Sequence, residues 1–137
     1  MDSGFHTLGS YTAADGHAIT LTMEDYLEMI YRQHSDNGLA RVGDLARRLQ
    51  VQPSAASKMV QKLRERGLVN FQKYGVITLT PAGEMLGAEL LDRHRLLTAF
   101  FGRFTPPALL LPQVEMAEHF LLPETLEGIR RFVDAHE

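Results

Sequence analysis

The sequence contains no cysteine. That absence removes disulfides, thiolate zinc sites, iron–sulfur clusters and cysteine nucleophiles together, and leaves histidine, carboxylate and hydroxyl groups to carry any site chemistry. Cationic residues are missing from the N-terminal region as well. The first Lys or Arg is Arg32, so residues 1–31 lack the basic start of a signal peptide. Long apolar runs are also lacking: they break at Arg103, Pro106 and Pro112, short of the ~18 residues that span a bilayer. The expectation is a soluble cytoplasmic protein. At 137 residues, 45% apolar and 23% charged, the chain suits one domain or two small ones and excludes a large multidomain enzyme.

The formal charge of −3 averages two unlike regions. Between Arg41 and Lys73, eight cations face only Asp44 and Glu65, a net +6, while the rest of the chain carries −9. Such asymmetry marks a basic binding face beside an acidic functional region.

Residues 1–19 mix Gly, Ser, Thr, Ala, Asp and His without a sustained period. They read as a flexible arm in which His6 and His17 are solvated. Met23, Leu27, Ile30 and Tyr31 have helical spacing and Asn37-Gly38 marks a stop, which predicts helix 1 over about 22–35. Val42, Leu45, Ala46 and Leu49 predict a short helix 2 ending near Gln50. Pro53 suits the first turn of helix 3, where its missing N–H would be unbonded anyway, and Gly67 closes that helix. Residues 68–72 and 76–80 read as strands around a Lys73-Tyr74-Gly75 loop. Thr80-Pro81 caps helix 4, expected over roughly 81–102 as the connector between two halves. Thr105-Pro106-Pro107 reads as a break, Pro112 as the start of helix 5, and Leu122-Pro123 as the separation from helix 6.

Three short helices followed by a hairpin describe a winged helix-turn-helix. The fold class expected is mainly α with a small β wing, divided into the arm 1–19, a DNA-binding domain 20–80 and a helical metal-binding and dimerisation domain 81–137. In a winged helix the second helix of the turn-helix pair enters the major groove, while backbone contacts set its register. Ser54, Ser57 and Gln61 offer uncharged donors and acceptors, Lys58 and Lys62 supply charge one turn apart, and Lys73 and Tyr74 stand at the wing tip. The plainer reading of the same cations is a solvated face.

The acidic region holds candidate ligands. Asp25 and Glu28 share a face of helix 1, Glu115, Glu118 and His119 are spaced i, i+3, i+4 on helix 5, and helix 4 adds His94. Taken singly, such groups are usually solvated. Together, four carboxylates would repel one another unless two divalent ions neutralised them, and an oxygen-rich set with some nitrogen and no sulfur suits manganese or ferrous iron, with zinc as an alternative. Spacing leaves open whether the three helices converge.

At these residues the chain resembles the diphtheria toxin repressor family of metalloregulators, and more closely its manganese-sensing branch. The resemblance runs over about residues 20–135. It is carried by Met23 to Tyr31, Ala40-Arg41-Val42 with Asp44-Leu45-Ala46, Pro53-Ser54, Lys58 to Leu63, Leu79-Thr80, Gly83, Arg93-His94, Val114-Glu115 and Glu118-His119. It implies a homodimer whose winged helices bind a palindromic operator when metal is present. It further implies that Asp25, Glu28, His94, Glu115, Glu118 and His119 ligate a centre of two Mn²⁺ ions per protomer. In the family's iron sensors the positions matching Asp25 and Glu115 are Met and Cys, so the carboxylates here imply manganese. The implied function is a non-enzymatic repressor of metal-uptake genes. Other readings are a winged-helix regulator that senses Fe²⁺, Zn²⁺ or an organic ligand and, more remotely, a dinuclear metallohydrolase, for which no nucleophile motif is present.

Overall fold

The computed structural model describes residues 20–137; the arm at 1–19, with His6 and His17, lies outside the described residues. Among the described residues, six α-helices and three short strands follow one another in the order α1 (Leu21–Asn37), β1 (Ala40–Arg41), α2 (Val42–Leu49), α3 (Pro53–Glu65), β2 (Val69–Phe71), β3 (Val76–Leu79), α4 (Pro81–Phe101), α5 (Pro107–Ala117) and α6 (Pro123–Ala135). None of the described helices is long and apolar enough to cross a membrane. The chain separates into two compact units, one formed by residues 22–91 and the other containing 92–137, and the division falls inside α4.

In the 22–91 unit, α1 buries Met23, Tyr26, Leu27 and Ile30 along one stripe. Burial raises the Tyr26 phenol above its ordinary range. Gly38 then adopts φ +80°, and its N–H bonds His34 O at 2.8 Å, closing the helix. Helix α2 buries Leu45 and Ala46 and ends on Gln50 in the left-handed conformation. Pro53 starts α3 at its first turn, and Ala56, Val60 and Leu63 are its buried face. Gly67, at φ +75°, turns the chain into β2.

The sheet has one more strand than the sequence suggests. Residues Ala40 and Arg41 pair antiparallel with Ile77 and Val76, so the hairpin β2–β3 is extended and the strand order is β1-β3-β2. A two-residue strand carries no detectable period; it exists because β3 presents an edge to it. Register in the hairpin sets Val69 opposite Leu79 and Phe71 opposite Ile77. At the tip, Tyr74 and Gly75 both take positive φ, and a Cβ on Gly75 would stand 2.6 Å from Val42 Cγ1. Glycine is therefore demanded there twice, by conformation and by space.

Thr80 joins the ends of two helices. Its hydroxyl donates to Gly67 O at 2.6 Å and accepts from Gly83 N–H at 3.1 Å, capping α4 as its position before Pro81 predicts. A Cβ on Gly83 would come within 1.8 Å of Leu68 O, so only glycine allows the first turn of α4 to lie against that backbone.

In the other unit, Leu96, Leu97, Val114 and Val133 are buried. Phe100 packs edge-on against Phe101, Phe104 and Phe132, and Arg103 lies over the Phe132 ring while donating to His136 O at 2.9 Å. One expectation is corrected here: Pro107, not Pro112, opens α5. Pro106 is its N-cap and Pro107 occupies the first turn, where a missing N–H costs nothing. Good helix formers Ala108 to Leu111 then carry the helix through Pro112, which lies in its interior. The segment 105–112 is thus largely helical rather than a loop.

Candidate metal centre and nucleic-acid interface

The acidic and imidazole residues divide between the two units. Asp25 and Glu28 lie one turn apart on α1, Asp25 exposed and Glu28 half-buried. Glu28 is engaged: Arg32 Nη2 donates to its Oε2 at 2.7 Å, an i, i+4 pair absent from the sequence-based candidates although its spacing is visible along the chain.

His94, Glu115, Glu118 and His119 belong to the other unit. Helix α5 ends at Ala117, earlier than the spacing of these residues suggests; Glu118 is its C-cap and keeps helical angles, φ −64° and ψ −22°, and His119 follows in the turn. The i, i+3 relation of Glu115 and Glu118 therefore survives. Glu118 is 4% exposed. Its Oε2 lies 2.9 Å from His94 Nδ1 and its Oε1 3.6 Å from His119 Nε2, so both imidazoles meet one carboxylate. Glu115 is exposed on the last turn of α5.

A buried carboxylate needs positive charge or donated protons. A carboxylate can only accept, so in the 2.9 Å contact the Nδ1–H of His94 donates to Oε2, and a cation bound between the two would take the place of that proton. Glu118 thus has an imidazole at each of its two oxygens, and nitrogen and oxygen donors without sulfur are the types that suit a divalent cation of intermediate hardness. The structure brings these three together within one unit.

The second feature is the basic face of the 22–91 unit. Helix α3 packs against α2 and β2, while Ser54, Lys58 and Lys62 remain exposed and Ser57 and Gln61 are half-buried. At the wing tip Lys73 is exposed and Tyr74 is 94% exposed. A helix opened by proline, backed by a shorter helix and flanked by a three-stranded wing, has the shape that a major groove accepts, about 12 Å wide.

Comparison with known proteins gives the same picture. The iron dependent repressor N-terminal DNA-binding domain matches residues 18–77. The HTH-type transcriptional regulator MntR of Lysinibacillus sphaericus (strain C3-41) is 40% identical over 119 residues, covering 86% of this chain and 86% of that protein. Among solved structures, the manganese regulator SloR is 27% identical with a TM-score of 0.73 over 85% of this chain and 55% of its own. A manganese-dependent transcriptional repressor in complex with manganese is 28% identical with a TM-score of 0.71 over 82% of this chain and 52% of its own. The chain spans about half the length of those two structures. With the winged helix, the histidine–carboxylate group and a relative matched along most of both lengths, the chain belongs to the diphtheria toxin repressor family, in its manganese transport regulator branch.

Proposed function

We propose that the chain is a manganese-responsive, metal-activated transcriptional regulator that acts in the cytoplasm as a homodimer on a palindromic operator and represses metal-uptake genes. The observation that carries this reading is the buried Glu118 carboxylate faced by His94 and His119, on the same chain as a basic winged helix. The names of the relatives support manganese as the effector.

Asp25, Glu28, His94, Glu115, Glu118 and His119 would hold two Mn²⁺ ions per protomer, with Fe²⁺ or Zn²⁺ as competing occupants. When bound, the cations supply the positive charge that four carboxylates lack. The ligand set draws on α1, which leads into the winged helix, and on α4 and α5. Its six side chains would thereby favour one spacing of the two recognition helices in a dimer. Half-sites lie about 34 Å apart or at multiples of that, so a dimer already held at this spacing docks without first ordering itself. Exposed Phe104, Leu109 and Leu111 support self-association, being apolar groups left in water by the protomer.

Operator selection from random duplexes, followed by affinity measurement with Mn²⁺ and with chelator, tests the reading. Activation by Mn²⁺ supports it, and equal affinity in both conditions overturns it.

A further inference from the structure

A cleft of about 460 Å³ opens in the 22–91 unit, and no residue of α3 lines it. Its lining includes Gln33 and Asn37 from the last turns of α1, Arg41 from β1, and Asp44, Arg47 and Arg48 from α2. None of these residues belongs to the proposed metal ligands or to the proposed DNA-reading set.

Two independent observations single out the cleft. The first is charge. Three guanidinium groups face one carboxylate, and that carboxylate is already paired with Arg47. Arg41 and Arg48 have no ion-pair partner among the described residues, and both are exposed. The second is Gln33. It is 4% exposed, the one buried residue of the lining, and neither its Nε2 nor its Oε1 has a hydrogen-bond partner among the described residues. A buried amide with both ends unsatisfied is destabilising, and a polar ligand in the cleft would remove that cost.

We propose that this cleft seats a phosphoryl group. Arginine forks match the oxygens of phosphate two at a time, and an excess of guanidinium over carboxylate calls for a ligand of more than one negative charge. The volume exceeds what a bare phosphate fills and falls within the ~300–1,000 Å³ of small-molecule sites. It leaves room for a polar body against the Gln33 and Asn37 amides. The group can arrive on a free phosphorylated small molecule or on the backbone of a nucleic acid, and the size of the cleft with its buried amide favours the former.

The test uses the ¹⁵N-labelled full chain without metal, titrated with inorganic phosphate and, as control, with chloride at equal ionic strength. The side-chain amide signals of Gln33 and Asn37 are expected to shift saturably with phosphate alone. Arg48→Gln, an exposed change, should weaken that binding about tenfold, and Gln33→Leu should weaken it as well. A parallel titration with a short DNA duplex at low salt identifies the source. If phosphate leaves Gln33 unmoved but the duplex shifts it, and Arg48→Gln lowers the salt slope by about 1, the seat belongs to a backbone phosphate. Signals that move in neither titration, or that move with equal affinity in Arg48→Gln, overturn the proposal. The phosphate titration involves neither metal nor operator, so its result stands apart from the regulatory reading.

Discussion

His94 Nδ1 stands 2.9 Å from Oε2 of Glu118, a residue 24 positions further along the chain. Helix α4 supplies the imidazole and the C-cap of α5 the carboxylate. The pair is held because each is buried with the other: the side chains are only 17% and 5% exposed. His119 adds a second ring nitrogen to the same carboxylate. A single residue, Glu118, therefore organises the nitrogen donors.

Glu118→Gln should keep the fold, because the amide oxygen can still accept from His94, while the charge that attracts a cation is lost. Mn²⁺ affinity is expected to fall at least tenfold, since even outer partners of metal ligands are worth about 10–100-fold. Isothermal titration of the purified variant, with circular dichroism as the folding control, reads this. Unchanged Mn²⁺ affinity would remove Glu118 from the centre.

Arg32→Ala removes the i, i+4 ion pair with Glu28. The pair contributes about 0.3–0.5 kcal/mol to the helix, so stability should barely change. Arg32 is also a competitor for any cation at Glu28. Mn²⁺ should then bind a few-fold more tightly, because one competitor for the Glu28 carboxylate is gone. Weaker binding in this variant would mean that Arg32 positions Glu28 rather than competing for it.

Lys58→Ala and Lys62→Ala change exposed residues of α3. Each should weaken DNA binding across sequences and reduce the slope of log affinity against log salt by about 1 for each phosphate that the variant no longer neutralises. Mn²⁺ uptake should be unaltered. Filter binding or fluorescence anisotropy at several salt concentrations provides the slopes, and a slope equal to that of the parent would mean that these lysines do not touch phosphate.

Gly83→Ala and Thr80→Ala separate two devices at the start of α4. An added Cβ at Gly83 would meet Leu68 O at 1.8 Å, so the backbone must move and the loss should reach at least ~3 kcal/mol, the upper range for overpacking. Loss of the Thr80 hydroxyl removes one cap and one bond to Gly67 O, costing about 1 kcal/mol. Urea midpoints rank the two, and a Gly83 variant as stable as the parent would contradict the close approach.

Wherever a signal is local, it is readable along the chain. Pro53 starts α3, Gly75 turns the wing and Thr80-Pro81 opens α4, because caps and tight turns are decided within four or five residues. Periodicity likewise points to buried residues of α1 and α2, among them Leu27, Ile30, Leu45 and Ala46, since i, i+3 and i+4 neighbours share one stripe whatever packs upon it. The family resemblance points to Glu118 and His119 on the same footing, by residue type and order. Packing decides the rest. Strand β1 is two residues long and exists only through its pairing with β3. The start of α5 escapes a local reading because Pro106-Pro107 and Pro112 are equally plausible openings, and the helix takes the earlier one with the apolar run behind it. Glu118 is one more acid in the sequence until its neighbours exclude water and bring His94 to its carboxylate. Gln33 gives no signal at all, since an amide at the edge of an apolar stripe looks solvated until the elements around it close over it. Caps and periods belong to short stretches of chain, whereas burial and the meeting of distant side chains depend on how whole elements pack.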